Sequence, residues 1–119
     1  MRDDVQRLRE RTKRFAIRVI RLCGALPRAR AADVIGRQLL RSGTSVGAQY
    51  REACRSRSNA ELISKFESVL QELDETSYWL ELLIEADLVA AERLQPLLDE
   101  TDELMAMIVA SVKSVKRRR

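Results

Sequence analysis

The chain is expected to be all-α, a bundle of four helices, and two observations predict it. Leu, Ala, Glu and Arg are abundant, while aromatics make up 4% and Gly and Pro number four and two, a helical-bundle composition. Apolar residues recur at alternating spacings of three and four in four successive segments. The 119 residues read as one domain, 1–119, long enough to bury a core.

The first helix is expected over 3–25, capped by Asp3 or Asp4 and stopped by Pro27. Its buried stripe reads Val5, Leu8, Thr12, Phe15, Val19, Leu22 and Leu26, widened by Ala16, Ile20 and Cys23. One residue earlier runs a column of five arginines: Arg7, Arg11, Arg14, Arg18 and Arg21. No acid interrupts it, so repulsion goes uncompensated within the helix. The column is either an ordinary solvated face or a face that binds a partner.

The second helix is expected over 31–57 and contains the most unusual stretch, GRQLLRSGTSVGAQYREAC, from Gly36 to Cys54. Each interior glycine costs a helix about 1 kcal/mol relative to alanine, and hydroxyl side chains compete for backbone hydrogen bonds. Yet Ile35, Leu39, Ser42, Val46 and Ala53 keep one rhythm, with Leu40, Gly43, Gly47, Tyr50 and Cys54 beside them. A loop would reset that register, so one continuous helix is predicted. Gly43 and Gly47, four apart, mark where another helix packs closely, inside the bundle or between subunits. Arg37, Arg41, Arg51 and Arg55 continue the basic character.

The third helix, expected over 59–87, opens on Ser58-Asn59-Ala60-Glu61, a capping box. Leu62, Phe66, Val69, Leu73, Thr76, Leu80 and Leu83 form its seam, and Glu67, Glu72, Asp74, Glu75, Glu81 and Glu85 its acidic outer face. Trp79 stands one position off the seam, a core-edge residue or an interface anchor; it and Tyr50 look for a hydrogen-bond partner when buried. Arg51 and Glu52 are candidates for an ion pair with Asp74 or Glu75. The fourth helix is expected over 91–115, with Leu94, Leu97, Leu98, Leu104, Met105, Ile108, Val112 and Val115 inward. Pro96 belongs in its first turns or marks a kink. Residues 116–119 read as a frayed basic tail able to contact nucleic acid.

Charge is segregated. Residues 1–57 hold fifteen Lys/Arg against five Asp/Glu, residues 58–112 two against thirteen, and residues 113–119 five bases, within a net +4. A basic helix pair precedes an acidic one. The pairs either neutralise each other within one bundle, or meet head-to-tail between subunits through two different surfaces. Phosphates are the third possible partner of the arginine column.

Several function classes lose their usual equipment. Histidine is absent, which removes the commonest general base and metal ligand. No phosphate-cradling glycine loop occurs. The Glu72, Glu75 and Glu81 spacing lacks the inward Glu and His that bundle di-metal sites require. No catalytic, cofactor or metal residue and no small-molecule substrate is indicated, and the chain reads as a non-enzyme. No run of eighteen apolar residues spans a membrane, and MRDDVQRLRE lacks the apolar core of a signal peptide, so a cytoplasmic protein is expected. Cys23 and Cys54 lie on apolar faces, each near its helix's C-terminus, and if those helices are antiparallel they sit at opposite ends, on the order of 30 Å apart. That is too far for a disulfide, and they read as reduced core fillers.

ERTKRFAIRVIRL, QLLRSGTSVGAQYREACRSRS and KFESVLQELDETSYWLELL, in that order and spacing, resemble the bacterial family of 23S rRNA intervening-sequence proteins. That family includes the accessory variability determinant of diversity-generating retroelements. The likeness runs from about Glu10 to Leu88, with the last helix matching in pattern only; Gln49 stands where the family usually has Asn. The resemblance implies an antiparallel up-down-up-down four-helix bundle assembled as a cytosolic ring of five, without established enzyme activity, and associated with RNA or DNA. Two functions are therefore open. In one, Arg7, Arg11, Arg14, Arg18 and Arg21, helped by Arg37 and Arg41, bind nucleic acid. In the other, the same arginines make subunit contacts in a structural or interaction module.

Overall fold

Four helices follow one another in the computed structural model, which describes residues 2–118, the side chain of Arg2 excepted: α1 (Arg2–Gly24), α2 (Arg30–Ala53), α3 (Asn59–Glu85) and α4 (Ala91–Arg117). Each packs against its chain neighbour and α4 closes back onto α1, the seam over which helices touch least. The result is the predicted four-helix bundle, 49 Å long and about 20 Å across.

α2 runs unbroken through its three glycines. Small residues there let α1 come close. A β-carbon on Gly43 would lie 2.8 Å from the Val19 methyls, and one on Gly47 3.3 Å from Thr12 Oγ1. Both glycines therefore face α1 of the same bundle. On the opposite flank of α2, buried Ser42 shares a 2.9 Å hydrogen bond with the Thr76 hydroxyl of α3. Thr12 and Thr101, also buried, donate to the carbonyls of Leu8 and Leu97, one turn earlier, so no hydroxyl among these three threonines is stranded.

The ends differ from the expectations in explicable ways. Asp3 and Asp4 do not cap α1; they lie inside its first turn, where carboxylates suit the helix dipole. α2 ends at Ala53, four residues early. Ser58 must be extended (φ −149°, ψ 162°) for its hydroxyl to accept from the Glu61 amide, and this cap draws the preceding residues out of helix. α3 ends in a Schellman motif. The Leu88 amide reaches the Leu83 carbonyl and the Asp87 amide that of Ile84, both at 3.0 Å, with Asp87 at φ 60° in the position glycine usually takes. α4 continues through Pro96, its sixth residue. Lys116 and Arg117 are helical rather than frayed, Arg118 is the C-cap, and Arg119 lies outside the described residues.

The core holds Phe15, Val19, Leu39, Val46, Tyr50, Leu73, Leu80, Leu83, Leu94, Leu104 and Ile108, each at most 2% exposed. Tyr50 stacks on Phe66 at 6.1 Å between centroids. Three residues assigned to the apolar face are outside it, one of them Leu40 at 39% exposed. Ile20 is 50% exposed, because it sits a full residue past Val19 on the outer edge of the stripe. Cys54 is exposed because the helix has ended at Ala53. Cys23 is half-buried and donates to the Gly36 carbonyl, and burial pushes its thiol pKa up. Both thiols are free.

Candidate functional site

The arginine column divides into paired and unpaired members. Arg11 turns into the α1–α4 seam, where Nε and Nη2 donate to the two oxygens of Glu100 at 3.1 and 2.6 Å. Glu103 lies 3.2 Å from the same Nη2, and Met107 Sδ 3.2 Å from Nη1. Both Arg11 and Glu100 side chains are 18% exposed. The hydrogen bond to Glu100 holds the Arg11 pKa above its ordinary value, against the opposing effect of desolvation. Arg7 stands only 3.9 Å from Asp4, with both side chains exposed, a contact of little energetic weight.

Arg14, Arg18 and Arg21 are exposed and have no hydrogen bond or ion pair among the described residues. Their spacing of four and three keeps them on one side of α1 over about 10 Å. Arg28 and Arg30, in the α1–α2 turn and at the start of α2, are likewise exposed and unpaired. Together these five unpaired guanidiniums offer a positive field to a polyanion.

Two arginines of α2 behave differently. Arg41 reaches across to α3, 3.4 Å from Glu72 and hydrogen-bonded to Glu75. Gln49 donates to the other Glu72 oxygen at 3.0 Å. Arg37 pairs with Asp33 one turn earlier on its own helix, and both are exposed. The anticipated link from Arg51 or Glu52 to Asp74 or Glu75 does not form. Glu52 contacts Lys65 at 3.4 Å, because Glu72 and Glu75 lie level with Arg41, nearly three turns before Arg51.

Trp79 is half-buried on the rim, with its indole Nε1 buried and lacking an acceptor among the described residues. Its ring meets that of Tyr78 edge-on, 5.1 Å between centroids. Tyr78 is 53% exposed and was not singled out from the sequence; the only signal was an aromatic outside the seam of an acidic helix. Ile17, 38% exposed beside the free arginines, was missed for the same reason.

Two open cavities of about 590 and 580 Å³ lie at opposite ends of the bundle. One adjoins the α1–α2 turn and the other is lined by Tyr50, Phe66 and Met107. Neither gathers carboxylates: among the described residues no three Asp, Glu or Cys converge as a metal site. Among the described residues no helix is long and apolar enough to cross a membrane.

The family model described as 23S rRNA-intervening sequence protein matches residues 6–110. A solved structure from Bacteroides thetaiotaomicron is also similar, described as a protein of unknown function from the S23 ribosomal protein family. It is 33% identical, covers 92% of this chain and 98% of its own, and superposes with a TM-score of 0.86. No curated protein sequence matches.

Proposed function

The chain belongs to the family of 23S rRNA-intervening sequence proteins, and from that membership and its charge geometry we propose a non-catalytic, cytosolic scaffold that forms a head-to-tail ring of five bundles and holds RNA or DNA through Arg14, Arg18 and Arg21. The carrying observation is the division within the column. Arg11 is neutralised by acids of the same chain, as Arg41 is on α2, whereas Arg14, Arg18 and Arg21 have no such partner. A row of free guanidiniums fits a phosphate backbone without base specificity, and the family's printed name refers to an RNA.

Gel-shift titration with generic single-stranded RNA, at two salt concentrations, tests this reading. Binding should weaken steeply with salt and be lost in Arg14→Glu/Arg18→Glu while light scattering shows an unchanged assembly. Wild-type protein that gives no shift at low salt overturns it.

A second reading is favoured by Ile17 and Ile20, exposed next to the same arginines. Phosphates have no use for isoleucines, whereas a protein surface does. In that reading the chain is an interaction module without nucleic acid, and its arginines meet acids of the next subunit. The double reversal then breaks the assembly and no RNA shift occurs.

A further inference from the structure

The outer side of the α1–α2 seam carries an apolar strip. Ile17, Ile20 and Leu40 are 38%, 50% and 39% exposed. The contacts of Gly43 with Val19 and Gly47 with Thr12 fix an antiparallel register that sets Ile20 level with Leu40. Leu40 also lines the open cavity of about 590 Å³ beside the α1–α2 turn, with Arg28, Arg30 and Arg37 on its lining. Lys13, one turn before Ile17 and two before Ile20, and Arg28 and Arg30 on the cavity lining flank strip and cavity, and none of the three has an acid partner among the described residues. This is an apolar socket inside a positive field.

α3 carries the opposite shape and sign. Tyr78 projects from it with its ring braced edge-on by Trp79. Asp74, Glu81 and Glu85, at four before and three and seven after Tyr78, share its face of the helix. None of the three is ion-paired among the described residues; Glu81 accepts only from Ser77. α3 sits across the core from α1, with no direct packing between them, so knob and socket cannot meet within one chain.

We propose that the Tyr78–Trp79 knob of one copy seats against the Ile20–Leu40 socket of the next, with the α3 carboxylates on the free bases around it. This rests on the ring-assembly reading above and assigns its two faces. Buried aromatics and arginines are the usual anchors of such contacts, and sign complementarity sets their orientation. The faces differ, so any open chain of copies keeps one knob and one socket free at its two ends until the ring closes.

The test uses full-length wild type, Ile20→Asp (socket) and Tyr78→Asp (knob), sized by light scattering at low salt, with circular dichroism to confirm unchanged helicity. Ile20→Ser and Tyr78→Ser replace them if an aspartate lowers helicity. Each variant alone should be monomeric. Their equimolar mixture should give a one-to-one dimer and nothing larger, because only one intact knob and one intact socket remain. Wild type that assembles while both variants assemble equally well overturns the face assignment and leaves the ring reading standing. Variants that are monomeric and stay so when mixed overturn the face assignment too. A wild type that is monomeric throughout overturns the assembly reading, and this one with it.

Discussion

Arg11 of α1 holds Glu100 of α4 through two parallel hydrogen bonds, at 3.1 and 2.6 Å, in a seam where both side chains are 18% exposed. This is the paired geometry in which arginine binds a carboxylate best, and it closes the seam where helices touch least. Glu100→Ala leaves a largely buried guanidinium with only the exposed Glu103 beside it and should cost about 1–3 kcal/mol in urea unfolding. Arg11→Met/Glu100→Leu removes both charges and should recover part of that loss. A double variant no more stable than Glu100→Ala would show that the pair is not what holds α1 to α4.

Most of the bundle was legible because one rule, apolar spacing of three and four, decides which side of a helix is inside. Leu39, Val46, Leu73 and Leu104 obey it and are fully buried. The candidate site was legible only in part. Arg11 and Arg14 look alike in sequence, three apart in one column, yet one is paired across the seam and the other meets no acid. That difference depends on where α4 places Glu100, which no local pattern encodes. Ile20 and Tyr78 escaped for a related reason: spacing identifies the middle of the buried stripe well and its edges poorly.

The α1–α2 contact yields a contrast between two glycines. Alanine in place of either gains about 1 kcal/mol in helix propensity. At Gly43 the new methyl meets Val19, a branched buried side chain, at 2.8 Å. There overpacking of about 1–3 kcal/mol should prevail and lower the thermal midpoint. At Gly36 the obstacle is the end of a Leu26 side chain, itself half-buried and free to change rotamer. Gly36→Ala should therefore be neutral or stabilising. Thermal unfolding of the two variants side by side checks the order, and an equal loss in both would refute this packing argument.

Tyr50 gives the protein an alkaline limit. Its phenol is pushed well above the ordinary tyrosine value of 10.0, first by burial and then by Cys54, with Asp4 adding to the rise and Arg9 opposing it. Below pH 10 the phenol is protonated in folded and unfolded chains alike, and its full contribution is present. As pH climbs past 10 the unfolded chain releases the proton first, so stability falls, by up to about 1.4 kcal/mol per pH unit from this group. Lysines also titrate there, in both Tyr50→Phe and wild type, so the difference between the two proteins isolates the phenol. Guanidinium unfolding at successive pH values should show parallel stabilities up to about pH 9.5 and a shallower decline above it in Tyr50→Phe, since phenylalanine has no proton for the unfolded chain to lose. Curves that stay parallel to pH 11 would mean that the buried ring opens to solvent before it ionises, and that the Tyr50–Phe66 stack is not held as tightly as its burial implies.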